Sequence, residues 1–253
     1  MLGVHAAPPG PPAVPAVAFF DFDHTLIHGD AGPLFGAYLF RWRRARYRAG
    51  GFWIRLRGRF LWVRYIPFVS WMAVQSLFYH VGLAKRSTIV RTAYRGLRGV
   101  KVDQFNGLLD AFVRDELPPR VYADMVKVIA DHQAMGRRCV IITTGMERLV
   151  ERALAAHFPP GVELIGCRLL ERRGRLTGKV LGPLFGVDKA NILHAYCRAI
   201  RVDPWHCWAY SDHFSDHHML DAVGNPVAVN PRGKFRRLCE RNGWKVLTPR
   251  AAK

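Results

Sequence analysis

Residues 16–30 read AVAFFDFDHTLIHGD, and they set the expectations for the whole chain. Residues 16–20 form a short apolar run, which is typical of a buried strand in a parallel sheet. The run ends in two acids one residue apart, Asp21 and Asp23. Because ligands of open α/β sheets bind beyond the carboxyl ends of the strands, these acids stand where a site is expected.

The sequence downstream of residue 120 alternates between strand and helix patterns, which is typical of an α/β domain with a mainly parallel sheet. Strands are predicted at 138–142, 162–170, 175–180, 206–210, 227–229 and 245–247, and helices at 121–134, 146–157, 189–200, 216–223 and 233–241.

The segment between the first strand and the others differs in composition. No acid occurs between Asp30 and Asp103, and this interval holds 15 of the 38 lysines and arginines and four of the seven tryptophans. We therefore expect an α/β fold whose Rossmann-like core comprises residues 14–30 and 120–253. A basic, aromatic-rich, α-helical cap is predicted as an insert over residues 31–119.

The overall composition indicates what kind of partner the protein binds and in which cellular compartment it is expected. The 253 residues carry 38 basic and 19 acidic side chains, a formal charge of +19, which favours an anionic partner or surface. The five cysteines form no CxxC pair, which favours reduced thiols over a disulfide framework. Residues 1–13 lack a basic n-region and are rich in proline, so we expect a disordered tail and a cytoplasmic protein.

Four further polar residues are predicted at the same edge of the sheet as the two acids. Thr143 lies in IITTG, Lys189 opens a helix in GVDKANIL, and Asp212 and Asp216 follow a later strand in AYSDHFSDHHML. Each alone has an ordinary explanation as a helix cap or a solvated helix residue. Together, in this order, they are explained by a single catalytic site.

Their side-chain types indicate phosphoryl chemistry. Clustered carboxylates suit Mg²⁺, which prefers oxygen ligands together with waters and phosphate oxygens. A carboxylate can also attack phosphorus as a nucleophile, and a second acid can protonate the leaving oxygen and later activate water. A lysine and a threonine hydroxyl would neutralise and hold the phosphoryl oxygens.

These motifs resemble those of the haloacid dehalogenase superfamily, in particular subfamily IB and its phosphoserine-phosphatase-like branch. FFDFDHTL resembles the first family motif DxDxT, and IITTG the second, a hydrophobic strand ending in Ser or Thr. Lys189 matches the lysine of the third motif. YSDHFSDHHML resembles the fourth, usually GDSxxDxxML. The resemblance covers residues 16–30 and about 120–247.

The resemblance implies roles for the matching positions. Asp21 would be the nucleophile, Asp23 the general acid/base, and Asp30 a substrate-recognition residue. The implied Mg²⁺ site draws on Asp21, Asp23 through its backbone carbonyl, Asp212 and Asp216. The implied phosphate-binding residues are Thr143, Thr144, Gly145 and Lys189. Asp216 would support the metal through water or hold Lys189.

Two positions depart from the family pattern, and a histidine patch accompanies one of them. His24 and Ser211 replace the usual glycines of the first and fourth motifs. Both variants occur in this branch, so phosphatase chemistry is still expected, and no catalytic role is assigned to His24. His213, His217 and His218 are interpreted either as surface histidines or as a zinc site.

The predicted cap leaves several interpretations open. Its arginines recur at helical spacings, and residues 65–84 contain no formal charge over a length that could cross a bilayer. A single span would leave the two parts of the core on opposite sides of the membrane. Residues 41–84 could instead form a helical hairpin on anionic head groups at the inner face of the membrane. An ordinary helical cap packed on itself is the alternative.

The sequence thus predicts a Mg²⁺-dependent phosphomonoesterase that acts through an aspartyl-phosphate. The cap resembles the apolar caps of relatives that act on lipid phosphates such as phosphatidylglycerophosphate, so the expected substrate is a small phosphorylated metabolite such as phosphoserine or a lipid phosphate. Nucleic-acid binding explains the charge of the cap but not its uncharged run. The alternative function is a degenerate phosphatase fold that binds membrane or nucleic acid through the cap.

Overall fold

The computed structural model describes residues 16–49, 86–182 and 187–250. The strands in these ranges are β1 (Val17–Phe20), β2 (Arg138–Met146), β3 (Glu163–Arg172), β4 (Arg175–Leu181), β5 (Trp208–Ser211), β6 (Asn225–Val229) and β7 (Lys245–Leu247). The helices are α1 (Ala31–Ala49), α2 (Arg86–Arg95), α3 (Val102–Glu116), α4 (Ala123–Ala134), α5 (Glu147–His157), α6 (Val187–Ala199), α7 (His217–Asp221) and α8 (Gly233–Asn242).

The seven strands form one sheet in the order β4-β3-β2-β1-β5-β6-β7. Only the β3–β4 pair is antiparallel; its turn lies at Arg173 and Gly174, which both have positive φ. The other five pairs are parallel, which confirms the predicted α/β fold with a mainly parallel sheet. Strand β1, the first strand in the described residues, therefore lies in the middle of the sheet, between β2 and β5.

The central strand β1 is buried on both faces. Ala18 and Phe20 belong to one hydrophobic cluster, whereas Val17 and Phe19 belong to a second one. Since successive side chains of a strand point to opposite faces, the two clusters lie on the two sides of the sheet. This double burial explains why the strand reads as an unbroken apolar run.

Strand β2 is longer than the predicted strand. It was expected to end at residue 142, but it continues to Met146, with an irregular register against β3 between Ile142 and Met146. The irregularity lets the chain carry Thr143, Thr144 and Gly145 past the end of the regular ladder.

The described parts of the 31–119 segment are mainly helical and contact the core. Helix α3 packs on α5, and the Arg152 Nε lies 2.6 Å from Asp110 Oδ1. The chain before α3 also runs beside β4, where Gly99 N–H donates to the Leu176 carbonyl at 2.8 Å. The division into cap and core stays a prediction.

Two features of the predicted organisation lie outside the described residues: the tail at 1–13 and the uncharged run at 65–84. Among the helices that the structure does describe, none combines the length and the apolar character needed to cross a bilayer.

His132 is buried in the core, and its titration should make the free energy of unfolding depend on pH. The guanidinium of Arg137, which can only donate, lies 3.2 Å from His132 Nδ1, so Nε2 carries the hydrogen and faces the Tyr210 hydroxyl at 2.8 Å. Burial, with the charge of Arg137, lowers the pKa of His132 from 6.5 to about 4.

We expect the difference in unfolding free energy between the parent and His132→Gln to shrink as the pH falls from 6.5 to 4. Over this range the unfolded histidine binds a proton that the folded one does not, so acid favours the unfolded parent by up to about 3 kcal/mol. Urea unfolding at pH 7, 5.5 and 4 measures the difference. His206→Gln, at an exposed histidine, is the control, and parallel pH profiles for the parent and His132→Gln would contradict the expectation.

Candidate active site

The predicted site residues meet at the carboxyl edge of β1, β2 and β5. The parallel register places Phe20 beside Ile141 on one side and Tyr210 on the other. Asp21 follows directly and donates its backbone N–H to the Tyr210 carbonyl at 2.9 Å. The carboxyl edge of the sheet therefore carries the residues that follow β1 and β5 together with those at the end of β2.

Lys189 joins two of the acids. Its ammonium lies 2.9 Å from Asp21 Oδ1 and 2.7 Å from Asp216 Oδ2, and the residue is only 2% exposed. Ser211 Oγ donates to the same Asp216 oxygen at 2.8 Å, and Ser215 Oγ donates to the other at 3.2 Å. Both oxygens of Asp216 therefore accept hydrogen bonds from neighbouring side chains, and one of them pairs with Lys189.

The electrostatics of the acids follow from their burial. Burial raises the pKa of Asp21 to about 6, although Lys189 opposes the shift. Burial, together with the charge of Asp21, raises the pKa of Asp212 to about 7. Burial also acts to raise the pKa of Asp216, but the charge of Lys189 and the hydrogen bonds from Lys189 and Ser211 outweigh it and hold that pKa below the usual value. Asp21 and Asp212 thus form a carboxylate pair that a further cation would stabilise.

The carboxylates that follow β1 and β5 have hydrogen-bond partners close to them. Asp21 Oδ1 also accepts the N–H of Phe22 at 2.8 Å. The hydroxyl of Thr25, which is fully buried, lies 3.5 Å from Asp212 Oδ1. Asp23 Oδ1 accepts the N–H of Ala31 at 2.7 Å, so the first residue of α1 holds the predicted general acid/base.

The end of β2 lies against Asp23. Thr143 is fully buried, and its Oγ1 accepts the N–H of Gly145 at 3.0 Å, while Thr144 is half-buried beside it. A Cβ built on Gly145 would lie 3.2 Å from Thr143 Oγ1 and 3.9 Å from Asp23 Oδ2. Gly145 therefore leaves room for this close approach.

We expect Gly145→Ala to lower kcat/KM for an aryl phosphate about ten-fold, because the added methyl group displaces the Thr143 hydroxyl by a few tenths of an ångström. Gly107→Ala is the matched control: a Cβ there meets no atom within 4 Å, and alanine should stabilise helix α3 by about 0.5–1 kcal/mol. Equal kinetics for the two variants would contradict this role of Gly145.

His24, which directly follows Asp23, contacts Asp30 at the surface. His24 Nε2 is 3.5 Å from Asp30 Oδ2, and both side chains are partly exposed. The hydrogen bond to Asp30 raises the pKa of His24. The backbone of His24 has φ = 54°, in the left-handed region that favours glycine. This conformation explains why the first family motif usually has glycine at this position.

The carboxylates at this edge have the donor chemistry that magnesium prefers. The described residues contain no gathered set of three or more His, Cys, Asp or Glu side chains that could hold a metal, and the patch of His213, His217 and His218 forms no such set. Mg²⁺ needs fewer protein ligands, because it usually keeps several waters and binds one or two carboxylates. Asp21 supplies a buried carboxylate and Asp212 a half-buried one, both with raised pKa values, and such a pair suits this kind of ion.

Sequence reasoning did not assign functions to four residues near this site: Ser211, Ser215, Tyr122 and Asn230. Ser211 stood out only as a replacement for the usual glycine, yet its hydroxyl holds Asp216. Tyr122 and Asn230 contact each other from distant parts of the chain, through a 3.4 Å bond from Asn230 Nδ2 to Tyr122 Oη. No local motif signals such a pair.

Comparisons with known proteins identify the family and the fold. The profile of the haloacid dehalogenase-like hydrolase family matches residues 18–221. A probable phosphatase of Mycobacterium tuberculosis is 31% identical over 153 residues, which are 59% of this chain and 52% of that protein. The chain thus matches about half the length of that relative.

Solved structures share the fold. A protein of unknown function from Bordetella pertussis superposes with a TM-score of 0.73 at 23% identity, covering 93% of this chain and 99% of the other. A phosphoserine phosphatase with an analogue of a phospho-aspartyl intermediate superposes with a TM-score of 0.63 at 13% identity, covering 94% and 95% of the two chains. At these identities the superpositions establish the fold alone.

Proposed function

The chain belongs to the haloacid dehalogenase-like hydrolase family, and we propose that it is a Mg²⁺-dependent phosphomonoesterase that acts through an aspartyl-phosphate on Asp21. The observation that carries the proposal is the buried Lys189, which contacts both Asp21 and Asp216 at the carboxyl edge of the sheet. A lysine so placed holds the nucleophile and offers positive charge to a phosphoryl group.

The contacts of Asp21 favour one of its oxygens as the nucleophile. Oδ1 already interacts with Lys189 and with the N–H of Phe22, so Oδ2 is the oxygen for attack. In the first step the Oδ2–P bond forms, the ester P–O bond breaks, and Asp23 gives its proton to the leaving alcohol oxygen. In the second step Asp23 takes a proton from water, the water oxygen bonds to phosphorus, and inorganic phosphate leaves Asp21.

Other residues would bind the phosphate and the metal. Thr143 and Lys189 would hold the phosphoryl oxygens, together with the backbone at Thr144 and Gly145. Asp21, Asp212 and the backbone carbonyl of Asp23 would hold Mg²⁺. The ion supplies charge that offsets the carboxylates and the phosphoryl oxygens.

Hydrolysis of an aryl phosphate by the purified chain, with Mg²⁺ and then with excess chelator, tests the proposal. We expect turnover with Mg²⁺ and loss of turnover with the chelator. A panel of phosphorylated metabolites that includes phosphoserine, with lysophospholipid phosphates, then identifies the substrate class. Absence of turnover on every phosphate, with Mg²⁺ present, would overturn the proposal.

The basic segment 41–84 supports a further part of the proposal, namely a cytoplasmic enzyme at the inner face of the membrane that takes a lipid phosphate. Its support is the charge pattern of the sequence, since residues 50–84 lie outside the described ranges. Co-sedimentation with anionic vesicles at low salt, lost at high salt, is the expected result. A chain that stays in the supernatant at low salt would contradict it.

A further inference from the structure

Tyr122 connects the end of β6 to the nucleophile loop, residues 21–30. Its ring is buried, with 4% of the residue exposed, and its hydroxyl reaches two polar side chains. Asn230 Nδ2 donates to the Tyr122 Oη at 3.4 Å, and His28 Nδ1 lies 3.3 Å from the same oxygen. Since the amide donates to the oxygen, the hydroxyl hydrogen is free to bond His28 Nδ1.

Further side-chain contacts connect His28 to His24 and Asp30. The His28 ring lies edge-on to Tyr122 and to His24, with centroids 6.3 and 6.4 Å apart respectively. His24 in turn lies 3.5 Å from Asp30. Five side chains therefore form a continuous chain from the end of β6 to the start of α1: Asn230, Tyr122, His28, His24 and Asp30.

The backbone also ties Tyr122 to the same loop. The Tyr122 N–H donates to the Leu26 carbonyl at 3.0 Å, and the His28 N–H donates to the Arg120 carbonyl at 2.7 Å. Ile27 and Val121 form an antiparallel bridge between these two bonds. The segment around Tyr122 thus supports the loop by its main chain, and the hydroxyl adds a side-chain contact.

Two of these five connected residues have backbone conformations that are unusual for residues other than glycine. His24 has φ = 54° and Asn230 has φ = 46°, both in the left-handed region. Non-glycine residues persist in this region where the surrounding structure over-determines their position, and such residues cluster at functional sites. The side-chain contacts through Tyr122 link the two.

We propose that Tyr122 is a positioning residue: its hydroxyl, held by Asn230, orients His28 and thereby places His24 and Asp30 where the organic part of the phosphate ester meets the site. The inference rests on the proposed phosphatase function. The hydroxyl acts on the substrate through the loop, whereas under the proposed function Thr143 and Lys189 would bind the phosphate.

Steady-state kinetics of Tyr122→Phe with an aryl phosphate test the role, with inorganic phosphate as a competitive inhibitor. We expect KM to rise about five-fold, the factor that the loss of one hydrogen bond represents, while the Ki of phosphate changes less than about two-fold. Partial unfolding would lower kcat without moving KM. Asn230→Gly, which keeps the left-handed backbone and removes the amide, should change KM in the same direction.

Tyr196→Phe is the matched control. The Tyr196 hydroxyl donates to Glu163 Oε1 at 2.8 Å, where β3 begins, which is the opposite edge of the sheet from the site. Removing this hydroxyl should leave both KM and Ki unchanged. The same KM in Tyr122→Phe, Tyr196→Phe and the parent would overturn the inference while leaving the proposed function intact.

Hydrogen exchange provides a readout that does not depend on turnover. In Tyr122→Phe the amides of His24 and His28, which bond the Gly29 and Arg120 carbonyls, should exchange faster than in the parent and in Tyr196→Phe. This result would support the positioning role even if no phosphate were hydrolysed. Unchanged exchange at both amides would overturn it.

Discussion

Asp21→Asn should reduce hydrolysis of an aryl phosphate by about 10³-fold or more, because an amide cannot form the aspartyl-phosphate. The fold should survive, since asparagine has nearly the same volume and Lys189 keeps its 2.7 Å contact with Asp216. Initial rates with Mg²⁺ in excess, normalised to folded protein by circular dichroism, give the ratio.

Asp110→Asn is the control for this substitution. Asp110 also pairs with a cation, Arg152 at 2.6 Å, but it is exposed and lies on α3, and its loss should leave the rate within about two-fold. Equal turnover in the parent and Asp21→Asn would exclude Asp21 as the nucleophile. A different result would favour a degenerate phosphatase that acts as a binding module. In that case the parent would show no turnover, and its binding to vesicles or RNA would persist in Asp21→Asn.

Lys189→Met should cost both stability and activity. The substitution leaves Asp21 and Asp216 buried without their shared cation, and breaking a buried ion pair from one side typically costs about 3–5 kcal/mol of unfolding free energy. The pKa of Asp21, already raised to about 6, should rise further, so less of the nucleophile is ionised at neutral pH. Urea unfolding and initial rates measure the two effects.

Lys127→Met provides a comparison between a buried and an exposed pair of the same type. Lys127 Nζ lies 2.7 Å from Asp131, the same separation as between Lys189 and Asp216, but its side chain is 75% exposed whereas that of Lys189 is 2% exposed. The surface pair should contribute less than about 1 kcal/mol. Similar losses of stability in the two variants would contradict the assignment of Lys189 as the central buried cation.

The fold could be predicted because its signals are local. Buried strands read as apolar runs, and the predicted strands and helices from residue 120 onward all occur, with ends that move by a few residues. The largest shift is at β2, where residues 143–146 extend past the predicted end. A bulge depends on the neighbouring strand, so a single strand pattern does not reveal it.

The site could be predicted only as a set of residues at strand ends. Thr25 and Asp212 are 187 residues apart in the chain, and Asn230 and Tyr122 are 108 apart, so no spacing rule connects them. Ser211 was noted as a departure from a motif, and only its contact with Asp216 explains it. The sequence assigns no role to His24, and its positive φ explains why glycine is usual at this position.

The buried strands and the acids that follow them can be predicted from the sequence, because hydrophobicity and side-chain chemistry belong to each segment. Only the folded chain shows which of those acids lie close together. That outcome depends on the sheet order, in which β1 lies between β2 and β5. Parallel strands in this order end at one common edge. There Lys189 contacts both Asp21 and Asp216. Tyr122 contacts both His28 and Asn230.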